Sequence, residues 1–464
     1  MSAESKSAVA ESVRAAATKS AAYARLTALF DNGTMTEFDP LALSEGKPAE
    51  VITAFGTVNG VPTCAFSQNS DVAGGAVSKA SAAKICKVFD YALKTGAPVV
   101  GIYDSTGARL KQGAEMLNSF GDMLRRSNNL SGVVPQIAVI AGTCVGTCSL
   151  LASSADVIIC SETADYGIDT AGGNMTAQQA MAAGAAHITA QDAQSAVAAA
   201  RNVLALLPQN NLSAPAVCEF SEPSTFPAAI AAQKIGSGTD ITAEMLTGVV
   251  DLGSFIELSA GFGKEVTTGL ATMNGASVGI VATHSADDST LMSRDSTAKA
   301  ARFVRFCDAF SVPVVTFVDC CGFATIREAS MLAHSYAEAT TAKIAVITGA
   351  AYGAAYVSMA GASSGSDYVV AWPTAVISPL APETIAAVLY SEQLAGSRNP
   401  IEQRKAQVEE YKTTLGSPYT AALGGHIENV IDPAATRNTV LAALNMLAGK
   451  RVSTSPKKHS NIQL

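Results

Sequence analysis

The sequence predicts two tandem homologous α/β domains, residues 1–225 and 226–464, each built on a parallel-type sheet. Three observations carry that expectation. The chain has 464 residues, long for one domain and comfortable for two. It repeats itself at a long, nearly constant offset. Each copy alternates continuous β-branched runs with helical stretches, the pattern of strand, crossover helix and strand.

The repeat is read first, because a period of this kind decides the architecture. Ala83 to Ala108 matches Ala298 to Phe323, pairing Lys84 with Lys299, Pro98 with Pro313, Asp104 with Asp319 and Gly107 with Gly322 at an offset of 215. Asn59-Gly60 and Asn274-Gly275 keep that offset, while Asp31 and Asp251 differ by 220. Ile137 to Gly146 matches Ile344 to Gly353 at 207, so the second copy has lost eight residues between Gly322 and Ile344. The boundary is expected in the polar stretch around Pro208 to Pro227.

Within a copy, a helix ends near Leu29 with Gly33 beyond it. Asn59-Gly60 is a turn pair between short strands, and a helix runs from Ser81 to Lys94. PVVGIYD and PVVTFVD, then QIAVIAG and KIAVITG, read as buried parallel strands. A third strand follows in each copy, DVIIC or DYVVAW.

Composition narrows the function. Charged residues are 15% of the chain, against about 25% in an average soluble protein. Hydrophobic residues are 48%, and mean hydropathy is +0.25. So little charge leaves part of the exterior for contact with other chains, which implies an oligomer. A net charge of -8 excludes a nucleic-acid binder, and the apolar bias excludes disorder. The nine cysteines are odd in number, without CxxC or a neighbouring histidine, and read as reduced thiols of a cytoplasmic protein rather than a disulfide or zinc framework. The first residues, MSAESKSAVAESVRAA, carry no secretory core. Val133 to Ala155 is free of charge, but its Pro, Gly, Ser and Thr content reads as a buried strand and helix rather than a membrane span.

In α/β sheets ligands bind beyond the carboxyl ends of the strands. Four such ends consist of small residues: Ser105 to Ala108, Gly142 to Thr147, Cys320 to Phe323, and Gly349 to Ala355. Small residues admit a ligand to the backbone, and if helices start at Gly146 and at Ala354 the free N–H groups of their first turns, with the helix dipole, can hold an anion. For one such turn, tight packing is the simpler explanation; the same turn at equivalent ends of two copies favours a pair of oxyanion holes. No P-loop is present. None of the five histidines falls in these turns, and Asp104 and Asp319 read as structural caps. The chemistry therefore rests on backbone electrostatics, with the proton handled by a bound cofactor or substrate.

These blocks resemble the carboxyltransferase subunits of biotin-dependent acyl-CoA carboxylases and the related acyl-CoA decarboxylases. The resemblance rests on GTVNGVPTCAFSQNSDVAGG, PVVGIYDSTGARLKQG, SGVVPQIAVIAGTCVG, AKAARFVRFCDAFSVPVVTFVD, SYAEATTAKIAVITGAAYGAAY, DYVVAWPTAVIS and HIENVIDPAATR, and spans roughly Ala24 to Arg437. It implies a pair of crotonase-like domains, the first for acyl-CoA and the second for biotin, and carboxyl transfer between carboxybiotin and a short acyl-CoA, or the reverse decarboxylation. By position, Gly146 and Thr147 would hold the thioester carbonyl, and Ala354 and Ala355 the biotin carbonyl. Thr106, Gly107, Ala108, Gly322, Phe323, Gly353 and Val357 would line the substrates. Lys19, Arg25, Arg109 and Lys111 are candidates for the CoA phosphates.

The resemblance also implies biotin on a separate carrier protein, since the chain lacks an A-M-K-M motif, together with a biotin carboxylase or membrane decarboxylase subunits. It implies a homo-oligomer, a dimer or trimer of dimers, and no metal. The chain departs from the family at Thr106, at Thr147 in place of a second glycine, at Cys321 in place of proline, and at the eight missing residues. Those departures keep two further readings in view: a structural or regulatory subunit with a weakened biotin site, and a crotonase-type acyl-CoA enzyme that does not use biotin.

Overall fold

The computed structural model describes residues 3–168, 173–214, 216–223, 225–226, 242–285, 287, 289–395 and 398–461. It divides into two compact units, Met1–Ala216 and Val217–Leu464. Most of the segment that follows the expected boundary, 227–241, lies outside the described residues.

The first unit contains strands β1 (Thr36–Phe38), β2 (Val51–Val58), β3 (Val61–Gln68), β4 (Val99–Ser105), β5 (Gln136–Val145), β6 (Val157–Ser161), β7 (Asp165–Gly167) and β8 (Ile188–Ala190). They form one sheet in the order β1-β2-β3-β4-β5-β6-β8, with β7 paired to β5 beyond its neighbour β6. The pairs β1–β2 and β2–β3 are antiparallel; the others are parallel. The second unit repeats this with β9 (Ile256–Leu258), β10 (Val266–Met273), β11 (Ala276–Thr283), β12 (Val314–Cys320), β13 (Lys343–Tyr352), β14 (Tyr368–Ala371), β15 (Val376–Ser378) and β16 (Asn429–Val430). Their order is β9-β10-β11-β12-β13-β14-β16, with β15 on β13. The duplication read from sequence is thus a duplication of topology.

Every residue of β4 is buried, as expected of a central parallel strand. The uncharged stretch from Val133 becomes β5 and the helix Thr147–Ser153. Among the described residues no helix is long and apolar enough to cross a membrane. The eight residues lost from the second copy come from the β4-to-β5 connection. There the helix Glu115–Leu130 is shortened to Ile326–Glu338, and the loops on either side are trimmed.

Each Asn-Gly turn has both residues at positive φ, 51° and 78° in the first unit and 51° and 76° in the second, as a two-residue hairpin demands. A carboxylate clasps each. Asp31 accepts from the N–H of Asn59 (3.0 Å) and of Gly60 (2.8 Å), and Asp251 from Asn274 (3.0 Å) and Gly275 (2.8 Å). An arginine from a late helix of each unit closes the clasp. Arg201 donates to Asp31 (2.9 Å) and Asn59 (3.1 Å), and Arg437 to Asp251 (2.6 Å) and Asn274 (2.9 Å). Desolvation pushes the Asp31 carboxyl up, but the Gly60, Thr57, Arg201 and Asn59 donors outweigh it and hold it at about 2. Arg437→Ala would leave Asp251, whose side chain is 1% exposed, without its cation. A loss of about 3 kcal/mol is expected, read as a lower chemical-denaturation midpoint of the second unit; an unchanged midpoint contradicts it.

Candidate functional site

The site is built where β4 and β5, and their copies β12 and β13, part company. Residues pair in register up to Tyr103↔Ile140; the next pair is Ser105↔Cys144, so Ala141, Gly142 and Thr143 oppose Asp104 alone. The second unit repeats the step between Val318↔Ile347 and Cys320↔Ala351. Glycine is required at the bulge. A Cβ on Gly142 would stand 2.4 Å from Asp104 Oδ1, and one on Gly349 2.3 Å from Asp319 Oδ1. Beyond the bulge, β5 runs on to Val145 beside β7, and β13 to Tyr352 beside β15.

Asp104 and Asp319 tie the strand ends together, as expected of structural caps. Asp104 accepts two bonds from the Arg25 guanidinium, both 2.9 Å, and one from Ser70 Oγ at 2.8 Å. Asp319 accepts the Ala350 N–H at 2.8 Å. Arg25 is therefore no free phosphate ligand; its charge is spent on a buried carboxylate. Arg109 is likewise committed, 2.9 Å from Glu45 and 3.6 Å from Glu50. Lys19 and Lys111 are exposed and remain the cations of the expected set that could meet a phosphate.

The turn after β4 is held from one side only. Val77 donates its N–H to the Gly107 carbonyl (2.7 Å) and accepts from the Arg109 N–H (2.9 Å). In such a parallel bridge the intervening residue, Ala108, directs its own N–H away from Val77. The N–H of Thr106 goes to Gly74 O (3.0 Å) and that of Gly107 to Ser105 Oγ (3.1 Å). Met292 grips the copy in the same way, donating to Gly322 O (2.9 Å) and accepting from Ala324 N–H (3.0 Å), so Phe323 stands where Ala108 does. The shortened connection in the second unit leaves this turn intact.

Opposite lies the second half of the site. Gly146 has φ 63° and Gly353 φ 45°, left-handed conformations suited to glycine. The expected role of Gly146 as a donor is corrected: its N–H is given to Gly167 O at 3.0 Å, because β5 extends to pair with β7. Gly353 does the same to Ser378 O at 2.8 Å. The first amides beyond these bonds belong to Thr147 and Cys148, and to Ala354 and Ala355, which open short helices and so have no carbonyl one turn back within them. Thr147 and Ala354 are exposed, while Cys148 and Ala355 are buried. The last register pairs before the turns are Ser105↔Cys144 and Cys320↔Ala351, so the Ala108 and Phe323 turns leave the sheet next to the strands that lead into Thr147 and Ala354. A Cβ on Gly107 would lie 3.6 Å from Val145 O, which places the two turns side by side.

Around each pair the surface is apolar and open. Leu150 is 40% and Val357 56% exposed at equivalent positions of the two short helices. Seven of the nine cysteines are buried. Burial pushes the Cys160 thiol up to about 12 and that of Cys320 likewise, so neither is a ready nucleophile. Gln68 was not anticipated: its amide receives the Asp104 N–H (3.1 Å) and donates to Cys148 Sγ (3.4 Å), linking the two strand ends from beneath. Among the described residues no group of three His, Cys, Asp or Glu side chains could hold a metal.

Two tandem α/β units, each ending paired strands in main-chain amides rather than acids and bases, define a crotonase-like protein of the carboxyl-transferring class. The chain belongs to the carboxyl transferase domain family, which matches it over residues 14–462. It is 36% identical to the carboxyltransferase subunit of propionyl-CoA carboxylase from Haloferax mediterranei, across 96% of this chain and 94% of that one. It is 35% identical to the alpha subunit of methylmalonyl-CoA decarboxylase from Propionigenium modestum, across 96% and 93%. The crystal structure of transcarboxylase 12S, a hexamer with hydrolysed methylmalonyl-coenzyme A bound, superposes with a TM-score of 0.88 at 33% identity, covering 98% of this chain and 95% of that one.

Proposed function

We propose that this chain transfers a carboxyl group between biotin on a separate carrier protein and a short acyl-CoA, or runs the reverse decarboxylation. That it is a carboxyltransferase or decarboxylase subunit follows from its family and relatives. In this reading Ala108 and Thr147 hold the thioester oxygen as the enolate forms, and Phe323 and Ala354 hold the ureido oxygen of biotin. Two convergent N–H groups are worth most where negative charge develops away from water. The observation that supports the assignment is the same bulge and the same bridge in both units, Val77 on Ala108 and Met292 on Phe323, with the amide of the bridged residue turned away from its bridge. Biotin supplies the carboxyl group and the base; the chain's own residues orient both partners and stabilise charge.

Lys19 and Lys111 meet the CoA phosphates in this proposal. The open apolar rim is covered by a second copy of the chain: Leu110 is 89% and Leu117 70% exposed in the first unit, and Ile326 90% in the second. The partners are the biotin carrier and a biotin carboxylase or membrane decarboxylase subunits, and buried reduced thiols fit a cytoplasmic enzyme.

The test is to mix the purified chain with malonyl-CoA or methylmalonyl-CoA and free biotin or a biotinylated carrier. Biotin-dependent loss of the carboxyl group is expected. CoA binding without turnover would support a structural subunit instead, and turnover indifferent to biotin would support an enzyme that does not use it.

A further inference from the structure

We propose that Glu50 and its copy Glu265 are positioning residues, each aiming one reactive amide through a serine relay that is buried in the first unit and half-buried in the second. The inference rests on the assignment of Ala108 and Phe323 as donors.

Glu50 is 1% exposed, an unusual place for a carboxylate. Its Oε2 accepts from Ser78 Oγ and Ser81 Oγ, both at 2.6 Å. Ser78 in turn is the N-cap of the helix Lys79–Thr95, accepting the Ser81 N–H at 3.1 Å. The residue before Ser78 is Val77, whose two backbone bonds bracket Ala108. Arg109, just past the amide, returns to Glu50 Oε1 at 3.6 Å and closes a ring around the turn. The carboxylate therefore fixes both the segment that grips the turn and the residue that leaves it.

The second unit repeats the relay at the same offset of 215. Glu265 accepts from Ser293 Oγ at 2.8 Å and from Ser296 Oγ. Ser293 caps the helix Arg294–Ala309, and Met292 brackets Phe323. Position 324 is alanine, so no arginine closes the ring there. Burying a carboxylate costs free energy unless its lone pairs are satisfied, and short charge-assisted bonds satisfy them. A helix cap alone needs only the serine; the acid adds a rigid link from helix cap to strand end.

Glu50→Ala and Glu50→Gln separate positioning from mere support. Expected for Glu50→Ala is a fall of about 10-fold or more in kcat for biotin-dependent decarboxylation, with KM for the acyl-CoA changed less than about 2-fold. Glu50→Gln, which keeps an acceptor for the hydroxyls, should recover most of that loss. Amide hydrogen exchange should quicken across 106–109 in Glu50→Ala and stay unchanged in β6. An unchanged kcat in folded Glu50→Ala, a rise in KM alone, or faster exchange spread evenly over the unit overturns the proposal. Should Glu50→Ala not fold, Ser81→Ala removes one bond of the relay and is read by the same criteria. If the unmodified chain shows no biotin-dependent turnover, the functional reading fails, and the exchange pattern alone decides whether Glu50 holds the turn.

Discussion

Thr147→Pro is expected to cut kcat by about 10²–10³-fold while the protein stays folded. Thr147 is the first residue of its helix, a position where proline fits the backbone and its absent N–H breaks no helical bond. The substitution thus deletes one main-chain donor and little else. Ala354→Pro makes the same deletion in the second unit and should strike the biotin half-reaction, leaving CoA affinity as it was. The check is steady-state decarboxylation with circular dichroism of each variant. A folded Thr147→Pro protein with wild-type turnover would refute the amide as a donor. Gly146→Pro would be a poor substitute: it forces a φ of 63° on proline and breaks the bond to Gly167, so lost activity would report lost structure.

Gly142→Ala is expected to destabilise the first unit by about 3–5 kcal/mol, through displacement of a paired carboxylate. The new methyl would sit 2.4 Å from Asp104 Oδ1, in contact with the group that holds Arg25 and Ser70. Either the carboxylate swings out and strands the Arg25 guanidinium, or β5 retreats and carries Thr147 away from Ala108. Both outcomes lower the melting temperature by about 10 °C, and activity should fall below what stability alone explains. Calorimetry of Gly142→Ala beside Gly121→Ala, where a Cβ meets nothing within 4 Å, provides the comparison. Equal melting temperatures for the two variants would show that the bulge tolerates a side chain.

The tandem repeat, the central strands and the small-residue turns at their ends were legible in the sequence because constant offsets and β-branched runs survive without coordinates. The expected donor pair needs one change, for a physical reason. A sequence shows that Gly146 and Thr147 are small and adjacent, but not that β5 continues to Val145 and uses the Gly146 N–H in a ladder with β7. At the offset of 207 the partners of Ala354 and Ala355 are Thr147 and Cys148, one step beyond the pair first chosen. Arg25 and Arg109 looked like exposed cations because their carboxylate partners, Asp104 and Glu50, lie 79 and 59 positions away. The clasp arginines escaped notice for a related reason. Arg201 and Arg437 differ by 236, because the second unit carries extra helices, Pro382–Leu389 and Pro400–Thr413, before its last one. Glu50, Ser78 and Ser81 do keep the common offset, yet their residue types are those of ordinary surface; only burial reveals the relay.

The trimmed connection between β12 and β13 separates two properties that enzymes often find hard to vary independently. Its helix is shorter than that of the first unit, yet the register step and the Met292 bridge are kept. Shortening of this connection is therefore tolerated so long as its helix keeps an inward face, Met116, Phe120 and Met123 in one copy and Leu332 and Tyr336 in the other.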